Sequence, residues 1–225
     1  MSLRILYEDA HLLAIHKPGG LPVQADKTGD PFLLERLAEM FPTDSSLGLP
    51  HRLDRPVSGA IIVTRTPEAL AAMNGLFANR AVMKTYWAIV TGIPPEAGRW
   101  AHRLEHDAHN HKARVVENTA VEMSHAAFKR LATGDRYALL ELVPDAGRFH
   151  QLRIQCAAAG FPIKGDVKYG ARRGEKDRTI GLHARQLVFI HPFTREPVHI
   201  EASPPPGPLW NALLNMWCPP AVDVP

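Results

Sequence analysis

Apolar and polar positions along this chain follow two periods, and each change of period marks an element. Arg4 to Tyr7 and His11 to Ile15 are short apolar runs joined by Glu8-Asp9-Ala10, a pattern that predicts a β-hairpin. Lys17-Pro18-Gly19-Gly20 breaks it, and Gln24 to Asp30 reads as a loop. Asp30-Pro31 then has the form of an N-cap with Pro at the first helical position, and the spacing of Leu33, Leu34, Leu37 and Phe41 predicts a helix. Pro42 to Pro50 is rich in Ser, Gly and Pro and ends it. After a strand at Ala60 to Thr64, Thr66-Pro67 opens a second helix running to about Asn79.

The second half reads mostly as strands. Lys84 to Val90 is dense in β-branched and aromatic residues and predicts a strand. Arg99 to Glu117 is polar, basic and rich in His, with weak alternation, which predicts edge strands around a mobile loop. Ala126 to Leu131 and Tyr137 to Val143 flank Gly134-Asp135 as a hairpin, and Leu187 to Phe193 and Val198 to Ala202 form another around Thr194 to Pro197. Between them His150 to Ala159 predicts a helix stopped by Gly160, and Pro208 to Trp217 a last amphipathic one. Strands outnumber helices and do not alternate with them as βαβ units. The expected fold is therefore α+β: one domain over 1–218, on a mixed or antiparallel sheet with a few helices and a central cleft, and a flexible tail over 219–225.

Composition narrows the function without choosing it. The 225 residues can bury a substantial core, and 26 Lys+Arg against 23 Asp+Glu is only mildly basic, so a polyanionic partner is permitted and not demanded. Cys156 and Cys218, the two cysteines, have no metal-type spacing. No signal-peptide apolar region and no membrane-length apolar run occurs, so the expectation is a cytoplasmic protein with no membrane contact and no obligate protein partner. His102, His106, His109 and His111 lack a carboxylate or Cys in register and read as a solvated strand or loop before they read as metal ligands.

The densest chemistry lies at Pro50-His51-Arg52-Leu53-Asp54-Arg55-Pro56-Val57-Ser58-Gly59, directly before the apolar strand. Pro and Gly place the charged cluster in a loop entering a buried strand, and two guanidinium groups beside one carboxylate favour its ionised form. By itself Arg-x-Asp-Arg is most often a solvated ion-pair loop. Four further words extend the pattern: Lys17-Pro18-Gly19-Gly20, Lys84-Thr85-Tyr86-Trp87-Ala88-Ile89-Val90-Thr91-Gly92, Gly147-Arg148-Phe149-His150-Gln151-Leu152-Arg153, and the stretch Gly160 to Asp166 continuing through Tyr169-Gly170, Leu182-His183-Ala184 and His191 to Thr194.

Taken together these words resemble the RluA-type pseudouridine synthases, over nearly all of residues 5 to 202. The resemblance implies an RNA-modifying isomerase with transfer RNA or large-subunit ribosomal RNA as partner and no cofactor or metal. It implies Asp54 as nucleophile, Tyr86 against the target base, and Arg153 paired with the carboxylate. It further assigns His51, Arg52, Arg55, Arg148, His150, Gln151 and Leu152 to the substrate, with Arg52 filling the gap left by a flipped base and holding phosphate. Arg172, Arg173, Lys176 and Arg178 read either as a solvated loop or, beside such a cleft, as phosphate contacts, and the sequence leaves both open. Val57, Ala146 and Gln155 depart from the residues usual in the family (Thr, Thr and His), and none of the three removes a proposed catalytic group. Two alternatives remain open from sequence: a non-catalytic RNA-binding or ribosome-assembly factor, and a glycoside hydrolase using Asp54 with Asp145 or Asp166, which needs two carboxylates across a sugar.

Overall fold

Four antiparallel hairpins supply most of the sheet: β1 (Arg4–Glu8) with β2 (Leu12–Lys17), β5 (Ala97–Asp107) with β6 (Lys112–Val116), β7 (Met123–Thr133) with β8 (Tyr137–Pro144), and β9 (Leu182–Ile190) with β10 (Pro197–Glu201). The structure is a computed structural model and describes residues 3–44 and 46–217. The tail expected over 219–225 lies outside the described residues. Two strands outside these hairpins complete the sheet, β3 (Ser58–Thr64) and β4 (Met83–Thr91), in the order β1-β2-β3-β9-β4-β8-β7-β5-β6, with β10 on the free half of β9. The sheet is mixed through one short parallel join, Ser58 with His183 and Gly59 with Ala184.

Helices cover both faces, and period-2 alternation decides which residues each covers. On β3, Ile61 and Val63 point into the core that holds Leu33 and Leu37 of α1 (Leu33–Met40) and Leu152 and Cys156 of α3 (Gln151–Ala158). Ala60 and Ile62 face the other way, against Ala69 and Met73 of α2 (Pro67–Ala78). Farther along that face, Trp87, Ile89 and Leu139 pack on Trp210 and Leu213 of α4 (Pro208–Met216). Burial on both faces explains why β3 reads as an unbroken apolar run.

The sequence is followed closely at some element ends and not at others. Thr66 caps α2 as its position suggests, its hydroxyl accepting from the Ala69 N–H at 3.1 Å, with Pro67 at the first turn. Asp30 does not cap α1. Phe32 holds the cap position without a side-chain bond, because the Asp30 carboxylate is taken by Arg55 and by the Thr28 hydroxyl. The last hairpin is shifted as well. β9 starts at Leu182, where it joins β3 and β4, and stops at Ile190, because His191 Nδ1 accepts from the N–H groups of Phe193 and Thr194 and turns the chain. The His-rich segment forms β5 and β6; β6 is the edge strand expected there, whereas β5 pairs with both β7 and β6. No helix among the described residues is long and apolar enough to cross a membrane.

β3 carries the site loop, and its second edge needs partners of its own. β9 pairs with it only at Ser58 and Gly59. Beyond that point the His51 imidazole takes the Ile62 N–H on Nε2 at 2.8 Å, and Gly48 exchanges both backbone bonds with Thr64. A buried backbone donor left unpaired would be costly, so these side contacts define where β3 ends and the loop begins. Gly59 makes the join possible: at φ 117° it lets the chain approach so closely that a Cβ there would lie 2.2 Å from the Ala184 carbonyl oxygen.

Two outcomes follow. Gly59→Ala should be destabilised by about 3 kcal/mol or more, since the obstacle is backbone in a buried sheet and the φ disfavours any side chain; chemical denaturation measures it. His51 provides a pH dependence. Burial, with help from Lys84, pushes its imidazole down to about 3, against an ordinary value of 6.5. Between those values the unfolded chain binds a proton that the folded chain refuses. The stabilisation is thus complete above about pH 6.5 and is lost as pH falls toward 3, by up to about 1.4 kcal/mol per pH unit. His51→Gln should flatten that slope in denaturation curves measured from pH 7 to 4; an unchanged slope would show that the imidazole does not titrate with unfolding.

Candidate active site

The loop between α1 and β3 is pinned at several points before any chemistry is considered. Leu53 and Val57 insert into the core, and the Val57 N–H donates to the Asp54 carbonyl at 3.0 Å, closing a turn. Arg55 accepts on its carbonyl from the Gly20 N–H at 2.7 Å. The deepest anchor is Lys17, 0% exposed, whose ammonium donates to the carbonyls of Pro18 and Leu21 at 2.9 Å and of Arg55 at 3.2 Å. Burial pushes its amine down to about 7, and the Asp54 carboxylate works against that shift. The Lys-Pro-Gly-Gly word therefore acts as a strut beneath the Asp54 loop.

Asp54 meets α3 across the cleft. Arg153 NH1 donates to Asp54 Oδ2 at 3.0 Å, joining residues 99 positions apart. The rest of the same guanidinium is gripped from behind: Nε and NH2 donate to Asp166 Oδ2 and Oδ1 at 2.7 and 2.8 Å, and its plane lies 5.1 Å from the centre of the Tyr169 ring. Arg153 and Asp166 side chains are 7% and 1% exposed, whereas Asp54 keeps 19%, so only Asp54 faces a solvent-reachable space. That bidentate fork sets the guanidinium in one orientation, with its free corner toward Asp54. Its charge stays complete, since both carboxylates oppose the effect of burial.

The cleft above Asp54 is lined by Tyr86, Arg148, Gln151, Arg153 and Leu182. Tyr86 projects from β4, half-buried, and burial reinforced by the Asp54 charge raises its phenol above the ordinary value, so it stays protonated. His150 enters from the start of α3 with φ 53°, a left-handed backbone that costs a non-glycine residue about 1–3 kcal/mol. Its Nε2 stands 3.4 Å from Asp54 Oδ2.

The remaining sequence-selected residues divide between cleft and scaffold. Arg52 is exposed at the mouth, shared with a second hollow lined by Phe77 and Lys84. His51 serves β3 and stacks on Phe77 at 4.6 Å. Arg55 turns away from Asp54 and bonds the Gly20 carbonyl, Asp26, Thr28 and Asp30, holding the 20–30 loop. Arg148 pairs with Glu122 on the surface. Gln151 is buried, donating to the His125 carbonyl and accepting from the Arg148 N–H, and Leu152 is core. Arg172, Arg173, Lys176 and Arg178 are exposed. Sequence reasoning left Asp166 as a possible second carboxylate; both of its oxygens are bound to Arg153, and Asp145 accepts from the His125 N–H. The roles of Lys17, Asp166 and Tyr169 were carried only by their places in the recurring words. Among the described residues no group of three His, Cys, Asp or Glu side chains is arranged to hold a metal.

Comparison with known proteins identifies the family. The family model described as RNA pseudouridylate synthase matches residues 11–158. The chain is 34% identical to a Vibrio parahaemolyticus protein named tRNA pseudouridine synthase C, over 90% of this chain and 91% of that one. It is 29% identical to the ribosomal large subunit pseudouridine synthase C of Buchnera aphidicola, over 88% of this chain and 66% of the relative. Among solved structures it resembles the human RNA pseudouridylate synthase domain containing 1, at TM-score 0.77 and 27% identity over 96% of this chain and 88% of that one. With the family's model spanning β2 through α3 and full-length relatives above the 30% mark, the chain belongs to the RNA pseudouridylate synthases, isomerases of the RluA type.

Proposed function

We propose that this enzyme isomerises a uridine in a structured transfer RNA or large-subunit ribosomal RNA to pseudouridine, with Asp54 as the nucleophile. One observation carries the assignment. Asp54 is the carboxylate that reaches the cleft while paired at 3.0 Å with an arginine that is itself immobilised. A carboxylate so placed has a fixed counter-charge and a fixed direction, both of which a nucleophile requires.

The reaction breaks the bond from ribose C1′ to uracil N1 and forms one from C1′ to C5. N1 ends with a proton and C5 loses one, so atoms and electrons balance without oxidant or energy source. A base held in a helix must first leave its stack, at about a few kcal/mol. Tyr86 offers the freed base an aromatic face, and as a neutral phenol it can pass a proton along but does not store charge. Arg52 at the mouth is placed to meet the phosphate of the displaced nucleotide. The names of the relatives support RNA of both classes as substrate.

RNA from cells lacking the gene, incubated with the protein and mapped for pseudouridine, should gain the base at defined uridines. No new pseudouridine under conditions where a known synthase works would leave a non-catalytic RNA binder as the better reading. Asp54→Asn should fold and bind RNA yet form no product, because an amide keeps the shape without the nucleophilicity. Arg153→Ala should lose activity together with about 3–5 kcal/mol of stability, since Asp166 and Asp54 then lose the guanidinium both are bonded to in a largely buried site. Arg153→Lys should keep more stability than Arg153→Ala while remaining poorly active, a point charge having no fork to serve both carboxylates. Prolonged treatment with a chelator should leave the rate unchanged.

A further inference from the structure

The hairpin β5–β6 reaches the Asp54 carboxylate through contacts that the proposed reaction leaves unused. From β6 the Ala113 N–H donates to the Tyr169 hydroxyl oxygen at 2.7 Å. That hydroxyl lies 2.7 Å from His150 Nδ1. From β5 the His106 ring stands 4.1 Å from Phe149, whose ring stacks on His150 at 3.8 Å. A third tie runs from the Lys168 ammonium to the His111 carbonyl at the hairpin's turn, at 3.0 Å. The imidazole is thus held by the hairpin on one side and presents Nε2 to Asp54 on the other.

Proton counting gives the chain of bonds a direction. Burial, followed by the charges of Arg153, Lys168, His106 and Arg52, pushes the His150 imidazole down to about 3, so the ring is neutral near pH 7. A backbone N–H can only donate, so the Tyr169 oxygen accepts from Ala113, and the arrangement that pairs every group in the chain has the hydroxyl sending its own proton to Nδ1. The single ring proton then sits on Nε2, facing the carboxylate. The last step, at 3.4 Å, is longer than a good N–H···O bond of about 2.7–3.2 Å. Such contacts are commonly long in unliganded enzymes and tighten in the complex. The exposed side chains at the hairpin's turn, His109, His111 and Lys112, are of the kind that meets phosphate.

We propose that Tyr169 and His150 are positioning residues that couple the β5–β6 hairpin to Asp54, and that RNA seated on the hairpin shortens the last contact and orients the attacking carboxylate oxygen. The inference rests on Asp54 being the nucleophile. It explains why a strained left-handed backbone is kept at His150: that conformation places the ring between the hairpin and the carboxylate.

Tyr169→Phe keeps the ring against Arg153 and deletes only the hydroxyl. With RNA from cells lacking the gene as substrate, it should lower kcat about 10- to 100-fold while KM stays within about threefold, and the double variant with His150→Ala should be no worse than His150→Ala alone. Losses that multiply, or an unchanged kcat in Tyr169→Phe, would overturn the coupling. A second measurement needs no variant to be active: the imidazole 15N shifts of His150 in the unaltered protein should show Nε2 protonated and Nδ1 bare, and the opposite tautomer would overturn the proposal even if Tyr169→Phe failed to fold. Turnover by Asp54→Asn would bring down the functional reading and this inference together, whereas an inert Asp54→Asn beside an unimpaired Tyr169→Phe would bring down this inference only.

Discussion

Everything in the cleft depends on how one guanidinium is shared. Arg153 carries a single positive charge and faces two carboxylates, and the structure divides it unequally: two bonds to Asp166, one to Asp54. The inner pair is nearly sealed from solvent and fixes the arginine. The outer bond orients Asp54 without enclosing it. A carboxylate bound by the whole fork would be stable and unreactive; one with no partner in this setting would take up a proton. The unequal division leaves Asp54 paired through one oxygen while its other oxygen is not engaged by Arg153. Lys17 completes the arrangement from below by holding the backbone of the Asp54 loop.

Much of this was legible in the sequence, for reasons that differ between fold and site. The hairpins were readable because period-2 alternation and turn residues are local signals, and Thr66-Pro67 marked a helix start because cap chemistry acts within one turn. Asp30 misled because its carboxylate serves Arg55, a partner 25 residues away, and β9 was misplaced because its start depends on pairing with β3 and its end on the His191 side chain. In the site, the recurring words brought Asp54, Tyr86 and Arg153 to attention, and the structure places them around one cleft. What the words could not convey was direction. Arg55 stands next to Asp54 in sequence and points away from it, while Asp166 lies in another word and holds the critical arginine. Long side chains choose partners in three dimensions, and no spacing rule encodes that choice.

Neutral histidines are a second theme of the molecule, and they serve different ends. His51 and His183 are buried acceptors or donors within the scaffold, the former on the Ile62 N–H and the latter between Ser58 and the Ala202 carbonyl. His51 stands where β3 lacks a strand partner on one side, and His183 lies at the short parallel join itself, between β3 and β4. Imidazole suits such places because, uncharged, it offers one donor and one acceptor on a flat ring that packs like an aromatic.

The parallel join of β3 to β9 spans only two residue pairs, in the middle of a ten-stranded sheet. That join divides the sheet into two plates that share a continuous core on each face, and the cleft lies on the seam between them. Asp54 belongs to the plate of β1 to β3; Arg153 and Asp166 belong to the other, through α3 and the Ile163 bridge to β4. The Asp54–Arg153 ion pair is therefore a clasp across the seam as well as part of the chemistry. In the proposed reaction the carboxylate gives up its charge whenever it is covalently joined to substrate, and the clasp slackens for as long as that bond lasts.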